Sequence, residues 1–167
     1  MASLDRKNII DAVKALFIAD TGTLYGETKL INSISVKQVE FDKAKIDAKT
    51  PYKMFLSTPD REKVETRMQN ADYAFTVRYR VEGLTVDPDE AWQKLDDIDE
   101  RIDYLCDNQM WSGSNLGSYF TNSLSTINDM EFQASTCDVV REPSEKGTTW
   151  RVHLEGTIRV EVNRTRT

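Results

Sequence analysis

The side chains of this chain that are best suited to nucleophilic or metal chemistry are one histidine and two cysteines. His153 is the only histidine, and it alternates with apolar residues, which places it on the polar side of a predicted strand. A catalytic triad needs a base beside its nucleophile, so we interpret His153 as an exposed strand residue. Cys106 and Cys137 show no C-x-x-C spacing, which favours reduced structural thiols over a zinc site or a disulfide.

Two further sequence patterns resemble functional sites, a nucleophile elbow and a metal-binding stripe, but neither is a good match. Residues 113–117 read GSNLG, which places Asn115 where a nucleophile elbow needs serine. The sequence contains no P-loop and no G-x-G-x-x-G. A stripe of carboxylates could bind a hard divalent cation, but on one helix it is more typical of a solubilising face; its members are Asp96, Glu100, Asp103 and Asp107. We therefore predict no enzymatic activity, no metal and no cofactor.

Outward-facing and C-terminal arginines form a second charged set, a predicted basic strip: Arg78, Arg80, Arg159, Arg164 and Arg166. In one interpretation they pair across strands with Glu82, Glu155 and Glu161, each pair contributing roughly a few tenths of a kcal/mol. In the other they meet an acidic surface, such as the Asp-rich helix, on a neighbouring copy. Opposite charges on two faces of one molecule suit head-to-tail assembly, which closes into a ring when the rotation allows.

The elements that must position these residues begin with an amphipathic helix over about Leu4–Ala19, with Ser3 as its N-cap. Alternating residues predict a strand over Ser33–Phe41 with a bulge near Lys37–Gln38, and a short strand over Tyr52–Ser57. The charged segment from Asp60 to Asn70 predicts an exposed loop or short helix. A strand follows over Tyr73–Val81.

The segment "DPDEAW" begins the clearest helix. Asp87 is suited to the N-cap, Pro88 to the first helical position, and Glu90 to completing a capping box. The predicted apolar face of this helix comprises Trp92, Leu95, Ile98, Ile102, Leu105 and Cys106.

The last part of the chain predicts an irregular loop and a long hairpin. Residues 109–128 are rich in Ser, Asn and Gly, and structureless segments of this length are usually functional or disordered. Strands are predicted over Met130–Val140 and Trp150–Val162, with a turn over Pro143–Gly147. Every even position from 150 to 162 except Gly156 is apolar, which indicates a strand with one face in a core.

The order helix, strands, helix, strands predicts a single α+β domain over residues 1–167, with an antiparallel sheet and both helices packed on one face. The net charge of −6 argues against a dedicated nucleic-acid binder. The sequence shows neither a signal peptide nor a run of apolar residues long enough for a membrane span, so we expect a soluble protein of the cytoplasm with no membrane partner.

The succession of elements resembles that of the tail-terminator proteins of tailed bacteriophages, and more loosely that of related minor tail and head–tail joining proteins. The resemblance covers about Asp5 to Val162 and rests on an N-terminal amphipathic helix, "PYKMFL", "YAFTVRYRV", the helix "DPDEAWQKLDDIDERIDYLCDN" and two closing strands. The 109–128 loop has no match in the family.

The resemblance implies a structural virion protein that is made in the host cytoplasm. It implies a ring, of six subunits in this family, at the head-proximal end of the tail tube, where it ends tube polymerisation and docks to the head-completion or connector proteins. DNA passes through the lumen without specific binding. Another neck or head-completion adaptor, or a small-molecule-binding α+β domain, remains an alternative.

The aromatic residues of the 109–128 loop have two interpretations of equal standing. They are anchors for a partner, because aromatic residues dominate interface energetics, or they form a flap over the protein's own core. The residues predicted to contact other subunits or partners combine these aromatic residues with charged ones. They are Arg78, Arg80, Asp96, Glu100, Asp103, Trp111, Tyr119, Phe120, Arg151 and Arg159.

Overall fold

A computed structural model of the chain describes residues 6–20, 30–31, 33–36, 52–57, 59–108, 116–120, 125–144 and 147–165. The helices in these ranges are α1 (Arg6–Ala19), α2 (Pro88–Asn108) and a short 3₁₀ helix (Leu116–Tyr119). The strands are β1 (Ser33–Val36), β2 (Tyr52–Leu56), β3 (Asp60–Thr66), β4 (Asn70–Thr85), β5 (Ser125–Ser144) and β6 (Gly147–Thr165).

These strands form one sheet in the order β1-β2-β4-β6-β5, and β3 also pairs with β4. All pairs are antiparallel except β1 with β2, which are parallel. β2 and β3 lie end to end along the same edge of β4, since β2 pairs with residues 79–83 and β3 with residues 71–76. At the break between them, the backbone N–H of Ser57 donates to the carbonyl oxygen of Arg78 (2.9 Å).

Both helices pack on one face of the sheet, and this confirms the predicted α+β class. The apolar stripe of α1 is buried as the spacing predicts, with Ile9, Val13 and Phe17 in the core. Alternate residues of β4 and β6 complete a single apolar cluster with α2. Among the described helices, none is long and apolar enough to span a membrane.

The N-terminal end of α2 is capped by Asp87, as predicted. Its carboxylate Oδ1 accepts from the backbone N–H groups of Asp89 (3.0 Å) and Glu90 (3.3 Å). The predicted capping box is wrong in its second half, because the N–H of Asp87 donates to Thr85 Oγ1 (3.2 Å) rather than to Glu90. The prediction that Trp92 belongs to the buried apolar face of this helix is also wrong. Its side chain is 41% exposed, and the neighbouring Ala91 is buried in the core.

The segment predicted as a loop or short helix between Asp60 and Asn70 is strand β3 with a tight turn to β4. The sequence concealed this strand because all seven of its side chains are exposed, so it has no apolar alternation. The three predicted strands after residue 70 are longer in the structure than their alternation indicates. The predicted N-cap Ser3 and bulge at Lys37–Gln38 lie outside the described residues.

The described parts of the 109–128 segment are regular. Residues 116–119 form the 3₁₀ helix, and β5 begins at residue 125. The predicted 143–147 turn is tighter than expected, since Ser144 already pairs with Gly147. β5 and β6 therefore form one long hairpin.

Candidate interaction surfaces

In addition to its apolar contacts, α2 is joined to the sheet by a polar cluster of three side chains near Gly156. The hydroxyl of Tyr79 donates to Asp99 Oδ1 (2.9 Å), and the hydroxyl of Ser135 on β5 donates to Asp99 Oδ2. Burial, opposed by these two hydrogen bonds, raises the pKa of the Asp99 carboxyl, and burial together with Asp99 raises the pKa of Tyr79. The cluster links the helix layer to strands β4 and β5 of the sheet.

The outer face of α2 carries only acidic charge. Its two basic side chains turn toward the body of the protein: Lys94 lies over the ring of Tyr52 (4.2 Å), and Arg101 forms a two-point ion pair with Asp20, with Nε to Oδ2 at 2.9 Å. Beyond the first turn of α2, the carboxylates that face outward are Asp96, Asp97, Glu100, Asp103 and Asp107.

These carboxylates repel one another and do not form a metal site. Partial burial, and then the charge of Asp107, raise the pKa of Asp103. No group of His, Cys, Asp or Glu residues in the described part of the chain is arranged to hold a metal ion. The predicted interface residues Asp96, Glu100 and Asp103 thus lie together on one exposed helix face.

On the sheet face opposite the helices, Arg80 belongs to a charged cluster around the only histidine. Arg80 Nε lies 2.9 Å from Glu82 Oε1, and one of its Nη atoms lies 2.9 Å from His153 Nδ1. Because arginine can only donate, His153 Nδ1 must accept, and the imidazole proton sits on Nε2, 3.3 Å from Glu155. His153 is therefore half-buried and hydrogen-bonded, which corrects its interpretation as a merely exposed strand residue.

The other arginines that the sequence predicts at an interface differ in their exposure and in whether they form ion pairs. Arg159 forms an ion pair with Glu161, two residues along its own strand, as Arg80 does with Glu82. Arg151 is exposed. Arg78 is exposed as well, and its guanidinium makes no ion pair with another described residue. Arg164 is half-buried, and Arg166 lies outside the described residues.

The loop aromatics that the structure describes face inward. Leu116 at the start of the 3₁₀ helix is fully buried, and Tyr119 and Phe120 pack against the core cluster. This is the arrangement of the flap interpretation rather than of free anchors. Trp111 lies outside the described residues.

A surface that the sequence did not indicate is the tip of the β3–β4 hairpin, residues 64–69. Met68 is 99% exposed and Val64 is 49% exposed. The turn is closed by the backbone N–H of Arg67, which donates to the carbonyl oxygen of Asn70 (2.7 Å). The sequence does not reveal this hairpin tip, because the charged residues on either side of it predict a loop or short helix.

A groove of about 400 Å³ runs beside the acidic face of α2. It is lined by Leu30, Asp97, Glu100, Arg101 and Tyr104. Tyr104 is 50% exposed, and the guanidinium of Arg101 lies 4.6 Å from the centre of its ring. Its lining combines an aromatic ring and a leucine with two carboxylates, which is a composition that suits an apolar side chain accompanied by a positive charge.

Comparison of the sequence with protein-family models and with curated protein sequences finds no significant match.

Proposed function

We propose that this chain is a structural protein of a phage tail, a terminator that assembles head to tail into a ring, of six subunits as the family resemblance implies. The ring ends polymerisation of the tail tube and presents the docking surface for the head-completion or connector protein. The chain acts through surfaces shared with copies of itself and has no catalytic role.

The observation that carries this proposal is the placement of opposite charges on opposite sides of the molecule. Tyr79 and Arg78 are neighbours on β4 and point to opposite faces of the sheet. Tyr79 reaches Asp99 on α2, so Arg78 points away from α2 and its outward carboxylates. The exposed arginine and the acidic helix face therefore cannot neutralise each other within one chain. Between copies arranged head to tail, they can meet.

Two other features agree with the proposal. The β5–β6 hairpin has strands of 20 and 19 residues, several times the usual strand length of about 5–6 residues, which provides surface beyond what one small core requires. A net charge of −6 also suits a protein through whose ring DNA moves without being held, because carboxylates repel phosphate.

The test is the mass of the full chain by light scattering over a wide concentration range, followed by negative-stain images, alone and with tubes of the cognate tail tube protein. We expect six-fold rings with a central channel that cap tube ends and stop their growth. A chain that stays monomeric at high concentration and does not bind tube ends would overturn the proposal. Rings that bind the connector but leave tube growth unchanged would assign the chain to another neck adaptor.

A further inference from the structure

We propose that the hairpin tip, residues 64–69, of one copy inserts Met68 into the α2 groove of the next copy. The groove is the one lined by Leu30, Asp97, Glu100, Arg101 and Tyr104. This inference rests on the proposed head-to-tail association and names the contact that makes it.

The tip is an ordered projection whose apolar side chain has no place in its own chain. Met68 is almost completely exposed, and every side chain of β3 is exposed. Two contacts hold the turn: the Arg67–Asn70 backbone hydrogen bond, and a two-point contact of the Arg67 guanidinium with Glu65 (3.1 and 3.3 Å). A tip that is already ordered loses little conformational entropy on binding.

The groove is also held in shape before any partner arrives. Asp20 is buried and fixes Arg101, which in turn covers one face of the Tyr104 ring. The exposed part of this ring and Leu30 supply the apolar lining. Methionine is flexible and its thioether interacts favourably with aromatic rings, and methionine and aromatic residues are enriched at protein interfaces. A groove of about 400 Å³ has room for one such side chain.

Charge determines which part of the tip enters the groove. Arg67 is adjacent to Met68, and its ion pair with Glu65 is exposed to solvent on both sides, so that the pair holds the guanidinium only weakly. Asp97 and Glu100 stand at the groove, and Arg101, the basic residue among the lining residues that the structure describes, is paired with the buried carboxylate of Asp20. Seating Met68 therefore brings Arg67 to two carboxylates, Asp97 and Glu100, that form no ion pair with another described residue. Because tip and groove are different surfaces, the contact is heterologous and propagates from copy to copy.

The experiment uses the full chain with one substitution at a time. Two substitutions change Met68 at the tip, and a third changes a control residue elsewhere. Met68→Glu places a carboxylate against Asp97 and Glu100, Met68→Leu keeps the apolar volume, and Val86→Glu makes the same charge change at another exposed apolar residue (79% exposed). Sedimentation velocity measures the concentration at which each variant assembles. We expect Met68→Glu to raise that concentration about tenfold or more, and Met68→Leu and Val86→Glu to stay near the unsubstituted chain.

A second measurement locates the receiving surface. A photo-cross-linking amino acid is placed at position 68, and the site of attachment is mapped by mass spectrometry in the assembled protein. We expect attachment between copies at residues 97–104 of α2. The variant Tyr104→Ala, which removes the aromatic wall, should weaken assembly while the melting temperature stays within a few degrees of the unsubstituted chain.

The outcomes separate this inference from the proposed function. Rings that form normally with Met68→Glu, and cross-links that miss α2, overturn the hairpin contact and leave the ring standing. Cross-links to α2 in an open filament support the contact and overturn the terminator assignment. A chain that remains monomeric at every concentration overturns both.

Discussion

Tyr79 lies directly across Gly156 on the neighbouring strand. The two residues are paired in the β4–β6 register, and a Cβ at position 156 would overlap the hydroxyl oxygen and ring of Tyr79. The one interruption in the apolar alternation of β6 is thereby explained: glycine leaves the space through which Tyr79 reaches Asp99. We expect Gly156→Ala to lower the free energy of unfolding by about 1–3 kcal/mol, as overpacking does.

Urea unfolding measures this effect, and a double-mutant cycle tests its cause. In a Tyr79→Ala background the ring is gone, so Gly156→Ala should cost much less than it does in the unsubstituted chain. An equal cost in both backgrounds would show that the glycine is needed for another reason.

The pH dependence of stability should contain a contribution from Asp99. Burial raises its pKa above the value in the unfolded chain, with Asp96 and Asp103 adding to the rise, so the folded state binds this proton more tightly. The stability it contributes is present below the unfolded pKa and is lost as the pH rises through the folded one. Unsubstituted protein should therefore lose stability relative to Asp99→Asn across that interval.

This difference is measured by urea unfolding of both proteins at several pH values from about 3.5 to 7, a range that begins near the ordinary pKa of aspartate. Asp97→Asn serves as the control for removing one negative charge from α2. A gap between Asp99→Asn and the unsubstituted protein that does not change with pH would contradict the argument.

The N-cap of α2 should be measurable in the same way. Removing the Asp87 carboxylate leaves the N–H groups of Asp89 and Glu90 without their acceptor, and we expect Asp87→Ala to cost about 1 kcal/mol in unfolding free energy. Asp89→Ala is the matched control, since it removes an exposed carboxylate from the same turn without removing the cap. Equal losses would point to the helix dipole rather than to capping.

The two cysteines should differ in reactivity toward a thiol reagent such as DTNB. Cys106 is buried, and burial raises the pKa of its thiol, with Asp103 and Asp107 adding to the effect. Cys137 is exposed, but burial of part of its thiol, followed by Asp96 and Asp99, also raises its pKa. We expect one equivalent to react in the native protein, more slowly than a free thiol, and the second only in denaturant. Two fast equivalents would contradict the burial of Cys106.

Self-association should depend on Arg78. Arg78→Glu replaces the exposed cation on the sheet face opposite α2 by an anion, so assembly by light scattering should need a higher concentration. Lys7→Glu makes the same change of charge on α1 and should assemble like the unsubstituted chain. If both variants assemble equally poorly, net charge and not a specific contact of Arg78 governs association.

The sequence predicts those elements whose apolar residues recur with a regular period. The stripe of α1 and the alternation of β4 and β6 are visible because each element buries one side and exposes the other. β3 was not recognisable, since an edge strand whose side chains are all exposed has no such contrast. The parallel pairing of β1 with β2 could not be predicted either, because register and direction arise between segments that are distant along the chain.

The candidate surfaces were predictable to a similar degree. The acidic stripe follows from helical spacing, but whether Arg101 neutralises it depends on Asp20, 81 residues away. Asp99 carried a signal, because it lies between Leu95 and Ile102 within the apolar stripe, and Gly156 carried another. The sequence does not reveal why Asp99 and Gly156 stand at these positions, because both depend on Tyr79. Tyr79 hydrogen-bonds to Asp99 and fills the space beside Gly156 in the folded chain.

β2 and β3 pair with different stretches of the same edge of β4, and the loss of each strand from the sheet would have a different effect. β2 contributes Met54 and Leu56 to the core, so its release would open the apolar interior to water. β3 contributes no buried side chain, and its release would break backbone hydrogen bonds at the rim while the core stayed closed. β4 stays in place in either case, since it pairs with β6 over residues 70–85. The two strands therefore share one edge of the sheet, but only β2 is needed to keep the apolar interior closed.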